Sequence, residues 1–193
     1  MFTLKRLAVC ASILTATPAA LAQAPQHVPQ FGQPIAPADI APWDISIGPD
    51  GAGLPPGRGT AIEGEAVYAT NCQACHGEKG TAPSDALAGA LVGGIGTLAP
   101  GKIPIKTVGS YWPYASTAYD YIYRAMPYDR PKSLTSNEMY AVIAYVFHLN
   151  GIVDTSTTLD AASLRKIKMP NSAGFTADPR PDVANVPCMR DCK

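Results

Sequence analysis

The sequence predicts an all-α protein of short helices and long loops wrapped around one large apolar group. Three observations carry that expectation. No run alternates polar and apolar residues as a strand would over more than a few positions, whereas residues 116–125 and 136–149 place apolar side chains at helical spacing. Residues 77–110 carry Gly89, Gly93, Gly94 and Gly96 with no clear period, and read as a loop that needs a face to pack against. The stretch Cys72-Gln73-Ala74-Cys75-His76-Gly77 supplies that face, because C-x-x-C-H is the spacing of a c-type haem attachment site.

The chemistry explains the spacing. Two thiols add to the two vinyl groups on one porphyrin edge, and the next residue, His76, then offers its imidazole to the iron. One covalently bound haem c per chain follows, held through Cys72 and Cys75. A thioredoxin-like redox pair would need a preceding strand and a βαβ pattern, which the sequence lacks. A zinc site needs about four ligands, and the adjacent Cys75 and His76 are poorly placed to chelate one tetrahedral ion.

Residues 1–22 read as a secretory signal peptide. Lys5 and Arg6 precede the apolar run Leu7–Leu14, and Ala20-Leu21-Ala22 offers a small-x-small cleavage site. The apolar run is too short for a membrane span, which takes about 20 residues. Cys10 follows Val9, where lipidation requires a small residue, and leaves with the leader. Residues 23–193 then hold 13 basic and 15 acidic side chains, with no basic stripe to meet nucleic acid and no second run long enough to span a membrane. An exported, periplasmic location suits haem c, whose attachment in bacteria takes place outside the cytoplasm.

In chain order, residues 23–57 form a proline-rich extension that is extended or turn-rich, with a turn at Asp50-Gly51. Ile40, Trp43, Ile45 and Ile47 are too apolar for a wholly solvated arm, so part of it is expected to pack on the domain or on a partner. A first helix spans 60–71, with Gly64 and Tyr68 on one face and the glycine allowing another helix to approach. A second spans 116–125 and ends where Pro127 disfavours helix at Met126. The third, 136–149, opens on a Thr135/Glu138 capping box, carries Met139, Val142, Ile143, Val146 and Leu149 on one stripe, and stops at Gly151. After a haem domain at 58–152, a C-terminal extension covers 153–193; in it a short helix over 161–166, capped by Asp160, leads into a proline-punctuated tail.

The iron has a second axial position, and a thioether there raises the potential and closes the metal to substrates. Met126 is the expected ligand, because it leaves a helix and is held at both ends; Met169, also followed by proline, is its rival. Met139 falls on the core stripe, His148 lies at a helix end, and Met189 sits between two cysteines. The second ring nitrogen of His76 needs an acceptor, and a backbone carbonyl near Pro83 is the expected one. Tyr111, Trp112 and Tyr114 read either as partners of the haem propionates or as ordinary aromatic core. Cys188 and Cys192 are one helical turn apart, within disulfide reach in an oxidising compartment.

Gly64-x-x-x-Tyr68, the C-x-x-C-H stretch, Ala125-Met126-Pro127 and the Tyr140–Leu149 helix together resemble class I cytochromes c over residues 58–152. That resemblance implies a few helices enclosing haem, with the first and last helices crossing. Ala41-Pro42-Trp43-Asp44-Ile45, the run from Asp50 to Gly57, the run from Gly109 to Ala115, Lys168-Met169-Pro170-Asn171 and the ending Cys188–Cys192 look like the cytochrome subunits of sulfane and sulfite dehydrogenases. The resemblance implies an electron-transfer subunit, not catalytic alone. It would partner a molybdopterin-containing dehydrogenase subunit and pass electrons to a downstream cytochrome or oxidase. Some family members carry two haems, whereas this chain has one C-x-x-C-H. The alternative is a free periplasmic shuttle to a terminal oxidase, and a haem enzyme binding substrate at iron is excluded if Met126 ligates. Extensions of 35 residues before the domain and 41 after it favour a lasting interface over a transient one.

Overall fold

The computed structural model describes residues 32–83 and 85–180. The signal peptide expected at 1–22, Met189 and the Cys188–Cys192 pair lie outside the described residues. The chain runs α1 (Pro37–Ile40), β1 (Arg58–Thr60), α2 (Ala61–Asn71), α3 (Gln73–His76), a 3-10 turn (Glu78–Gly80), α4 (Val108–Tyr111), α5 (Ala115–Ala125), α6 (Ser136–Leu149), β2 (Thr158–Asp160) and α7 (Ala161–Leu164). Among the described residues, no helix is long and apolar enough to cross a membrane.

The helices begin where local chemistry satisfies their first amides. Thr135 Oγ1 accepts from the Glu138 amide at 3.3 Å, and Glu138 Oε2 accepts from the Thr135 amide at 2.8 Å. Thr60 and Glu63 build the same box on α2, at 3.3 and 2.7 Å. Asp160 caps α7 through the amides of Ala162 and Ser163. At the end of α5, Met126 is extended (φ −128°, ψ 149°), as the following proline requires.

α6 is the axis of the core. The sequence marks one apolar stripe along it, but every residue from Met139 to Phe147 is buried. α2, α5, β1 and β2 all pack around it, so no solvent face is left over that length. The crossing with α2 is the tightest contact. A β-carbon at Gly64 would collide with the Ala141 carbonyl of α6 and meet Tyr145 Cβ at 2.9 Å. Only glycine lets the two backbones approach that closely.

The expected all-α fold of short helices holds, with the addition of one small ribbon. β1 and β2 pair antiparallel, Gly59 opposite Leu159, as a ribbon of two three-residue strands laid on α6. Gly59 also abuts the Ala141 backbone, and Leu159 is fully buried. The ribbon ties the end of the proline-rich arm to the start of the tail. The tail goes on to bury Leu164 and Met169.

The arm divides in two. Its second half packs on the domain: the Ile47 amide donates to Asp120 Oδ1 (3.1 Å), Ser116 Oγ to the Pro49 carbonyl (3.1 Å) and Tyr140 hydroxyl to the Pro55 carbonyl (2.8 Å). The described residues before Asp44 are exposed. Trp43 is 81% exposed, and Ile35 and Ile40 are exposed beside it.

Gly64→Val is expected to destabilise the fold by about 2–3 kcal/mol, as overpacking against backbone does, lowering the melting temperature by roughly 5–10 °C. An unchanged thermal melt would rule out the close α2–α6 crossing.

Candidate haem site

The site is built outward from α2. That helix ends at Asn71, and the chain steps through Cys72 into the single turn of α3, which carries Cys75 and His76. Tyr68, one turn before the end of α2, is 1% exposed and its ring tilts against Tyr145 of α6. Its hydroxyl donates to the Gly77 carbonyl at 2.9 Å, pinning the chain just after His76. Burial pushes the Tyr68 phenol up to about 12, so it is a neutral donor throughout the physiological range. Gly77 itself takes φ +76°, the left-handed conformation that glycine adopts without penalty.

The following loop then folds back over the motif. The Ala82 amide donates to the His76 carbonyl (2.9 Å) and the Ala88 amide to the Cys75 carbonyl (3.0 Å). This return brings the Gly89 carbonyl to 2.8 Å from His76 Nδ1. The acceptor is Gly89 rather than the carbonyl near Pro83 expected from the sequence, because the loop doubles back further along the chain. A carbonyl can only accept, so Nδ1 carries the proton and Nε2 keeps its lone pair free for a metal.

The glycine-rich loop is fixed by Asn150, at the end of α6. Its side chain accepts from the Gly93 amide (3.2 Å) and donates to the carbonyls of Leu91 (3.1 Å) and Val146 (2.8 Å). Thr107 adds a hydroxyl bond to the Gly93 carbonyl at 2.7 Å and caps α4. Sequence reasoning missed both residues. An asparagine after a long helix reads as an ordinary C-terminal stop, and its reach across 57 positions to Gly93 leaves no local mark.

These elements enclose a cavity of about 790 Å³, within the roughly 300–1,000 Å³ typical of pockets that bury a ligand. Cys72, Cys75 and His76 line it together with Met126, Val142 and Val146 of α6, and the loop residues Leu87 to Leu91. Tyr111 and Trp112 line it as well, but Tyr114 does not; Tyr114 is half exposed and bridges to Lys168. The rival axial candidates are elsewhere. Met139 and Met169 are each 1% exposed in the core, and His148 Nδ1 lies 3.2 Å from the Val153 carbonyl.

The donor set suits haem c. Two unpaired thiols, one imidazole with a free Nε2 and one thioether face a single, mostly apolar space. Burial, then the neighbouring Cys75 thiol, pushes the Cys72 thiol up to about 11, so it stays neutral against an apolar wall.

Two comparisons with known proteins agree with this geometry. The family model described as cytochrome C oxidase, cbb3-type, subunit III, matches residues 59–146. A chain of the sulfane dehydrogenase SoxCD from Paracoccus pantotrophus is 38% identical, with a TM-score of 0.70, and the match covers 84% of this chain and 81% of that one. No curated protein matches the sequence. The match to SoxCD covers most of both chains at an identity well above that at which only the fold is shared, and the family model that matches is likewise a cytochrome one. The chain therefore belongs to the class I c-type cytochromes and, within them, resembles the cytochrome subunit of sulfane dehydrogenase.

Proposed function

We propose that this electron-transfer cytochrome binds one haem c covalently through Cys72 and Cys75, with His76 and Met126 as axial ligands. It works in the periplasm as the subunit that accepts electrons from a molybdenum-containing sulfane or sulfite dehydrogenase and hands them to a downstream cytochrome or oxidase. The observation that carries the haem reading is the meeting of those four side chains in one cavity, with the other methionines buried elsewhere.

Bound haem supplies a one-electron carrier. The residues of this chain do the rest. Gly89 orients the His76 imidazole, a Met126 thioether on iron would leave no open coordination site for substrate, and Val142, Val146 and Leu91 would present an apolar wall to the bound group. That arrangement favours electron transfer over substrate chemistry at iron.

The partner reading draws on the sulfane dehydrogenase relative and on the divided arm. Ile47 is committed to the chain's own core, while Trp43, Ile40 and Ile35 stand in solvent. An exposed tryptophan flanked by isoleucines is the composition of an interface anchor. The arm is therefore read as a strap whose far half belongs to another subunit.

Acid–acetone extraction is expected to leave one haem per chain on the protein, and Cys75→Ser to impair attachment; haem wholly extracted, or two haems by pyridine haemochrome, overturns the cofactor reading. Met126→Ala is expected to abolish the weak red band of methionine–ferric iron ligation and to lower the potential. Met169→Ala should keep both and cost about 2–5 kcal/mol of stability instead, as loss of a buried side chain does. The opposite pattern transfers ligation to Met169.

The native protein is expected to copurify with a molybdopterin-containing subunit and to become reduced when the sulfur substrate is added. Trp43→Ala, or deletion of residues 23–43, should weaken that complex at least about 30-fold, as loss of a hot-spot residue does, with the haem spectrum intact. A protein that elutes alone and carries electrons as a monomer is a free shuttle.

A further inference from the structure

Among the described residues, one lysine and one aspartate line the cavity, Lys106 and Asp129. Among the described residues, Lys106 is therefore the one lysine or arginine lining the space. It is also held in position. Its Nζ lies 5.0 Å from the centroid of the Tyr111 ring, a cation–π distance. The Tyr111 ring in turn meets Phe175 edge-on, with centroids 5.4 Å apart, and the Asn171 side-chain amide donates to the Tyr111 carbonyl at 2.7 Å. The tail segment after α7 thus buttresses one aromatic ring and, through it, one cation at the cavity.

Haem brings two carboxylates into whatever site holds it, and a carboxylate next to apolar walls is costly unless paired. We propose that Lys106 is the counter-ion of a haem propionate, and that Phe175 and Asn171 position it through Tyr111. This rests on the haem reading above. A fixed cation there stabilises the ferrous state over the ferric, because reduction removes one positive charge from the site. Lys106 therefore raises the reduction potential, and the C-terminal segment tunes it. The effect is moderated by solvent, since Lys106 is exposed, and it should weaken with added salt.

The test is spectroelectrochemical titration of the holoprotein, after checking haem content. At a fixed ambient potential and low salt, Lys106→Gln is expected to raise the ferric-to-ferrous ratio about threefold to tenfold, a lowering of about 30–60 mV at 59 mV per decade. Lys106→Arg should keep the ratio within about twofold of the parent, because the charge and its ring contact survive. Phe175→Ala should shift it in the direction of Lys106→Gln, by less, and the Lys106→Gln shift should shrink at about 1 M salt. A haem-loaded Lys106→Gln protein with the parent potential overturns the counter-ion assignment alone. Equal shifts in Lys106→Arg and Lys106→Gln overturn it too, because loss of packing rather than of charge would then be the cause. Parent protein without haem overturns both this assignment and the reading beneath it.

Discussion

The contact on which everything else depends is the bare backbone crossing of α2 and α6. Gly64 lets the Ala141 carbonyl lie where a side chain would otherwise stand. That closeness puts Tyr68 beside Tyr145 and aims its hydroxyl at Gly77. Gly77 then starts the loop whose return brings Gly89 to His76. A helix crossing thus sets, through Gly77 and the returning loop, which carbonyl the His76 imidazole meets. Gly59 repeats the device one strand earlier, packing β1 against the same residue of α6. The core and the site therefore share one scaffold, with no separable binding module between them.

What was legible in the sequence was local. The C-x-x-C-H spacing, the Thr135/Glu138 box, the Asp160 cap and the proline after Met126 each act over a few residues, and each appears where expected. The first, second and third long helices agree with expectation to within a residue at either end. What escaped was long-range. The β1–β2 ribbon joins residues about 100 positions apart, and neither three-residue strand is long enough to show alternation. Asn150 bonds Gly93 across the core, and Gly89, an unremarkable member of a glycine-rich loop, holds His76 through a backbone carbonyl that any residue would possess. Backbone acceptors carry no side-chain signature, so no reading of residue types could have chosen Gly89 over its neighbours.

The extensions prove less separate than their composition suggests. Proline-rich sequence reads as linker, yet Pro49 and Pro55 offer carbonyls to Ser116 and Tyr140, positions at which proline's missing amide costs nothing. The tail likewise gives Leu159, Leu164 and Met169 to the core. Burial of Met169 bears directly on the axial ligand, because a side chain that fills the core cannot also reach iron without opening that core. Of the two Met-Pro dipeptides, Met126 lines the cavity and Met169 fills the core, which supports the preference for Met126 already drawn from the sequence.

The proposed partnership places a physical demand on such an extended chain. A sulfur centre releases electrons in pairs, and one haem iron takes them singly. An acceptor that diffuses away after each electron would need two encounters per turnover, whereas an acceptor held in place needs only to be emptied between them. Holding requires surface that the haem domain cannot spare, since its own edge must remain available for onward transfer. An arm with its second half packed on the core meets that demand. Its Ile47 and Leu54 anchor it to the cytochrome, while Trp43 and its neighbours are offered outward. The tail, by contrast, turns inward to Tyr111 and Lys106. On the proposed reading the two extensions would divide the work, one toward a partner and the other toward the electrostatics of the cavity.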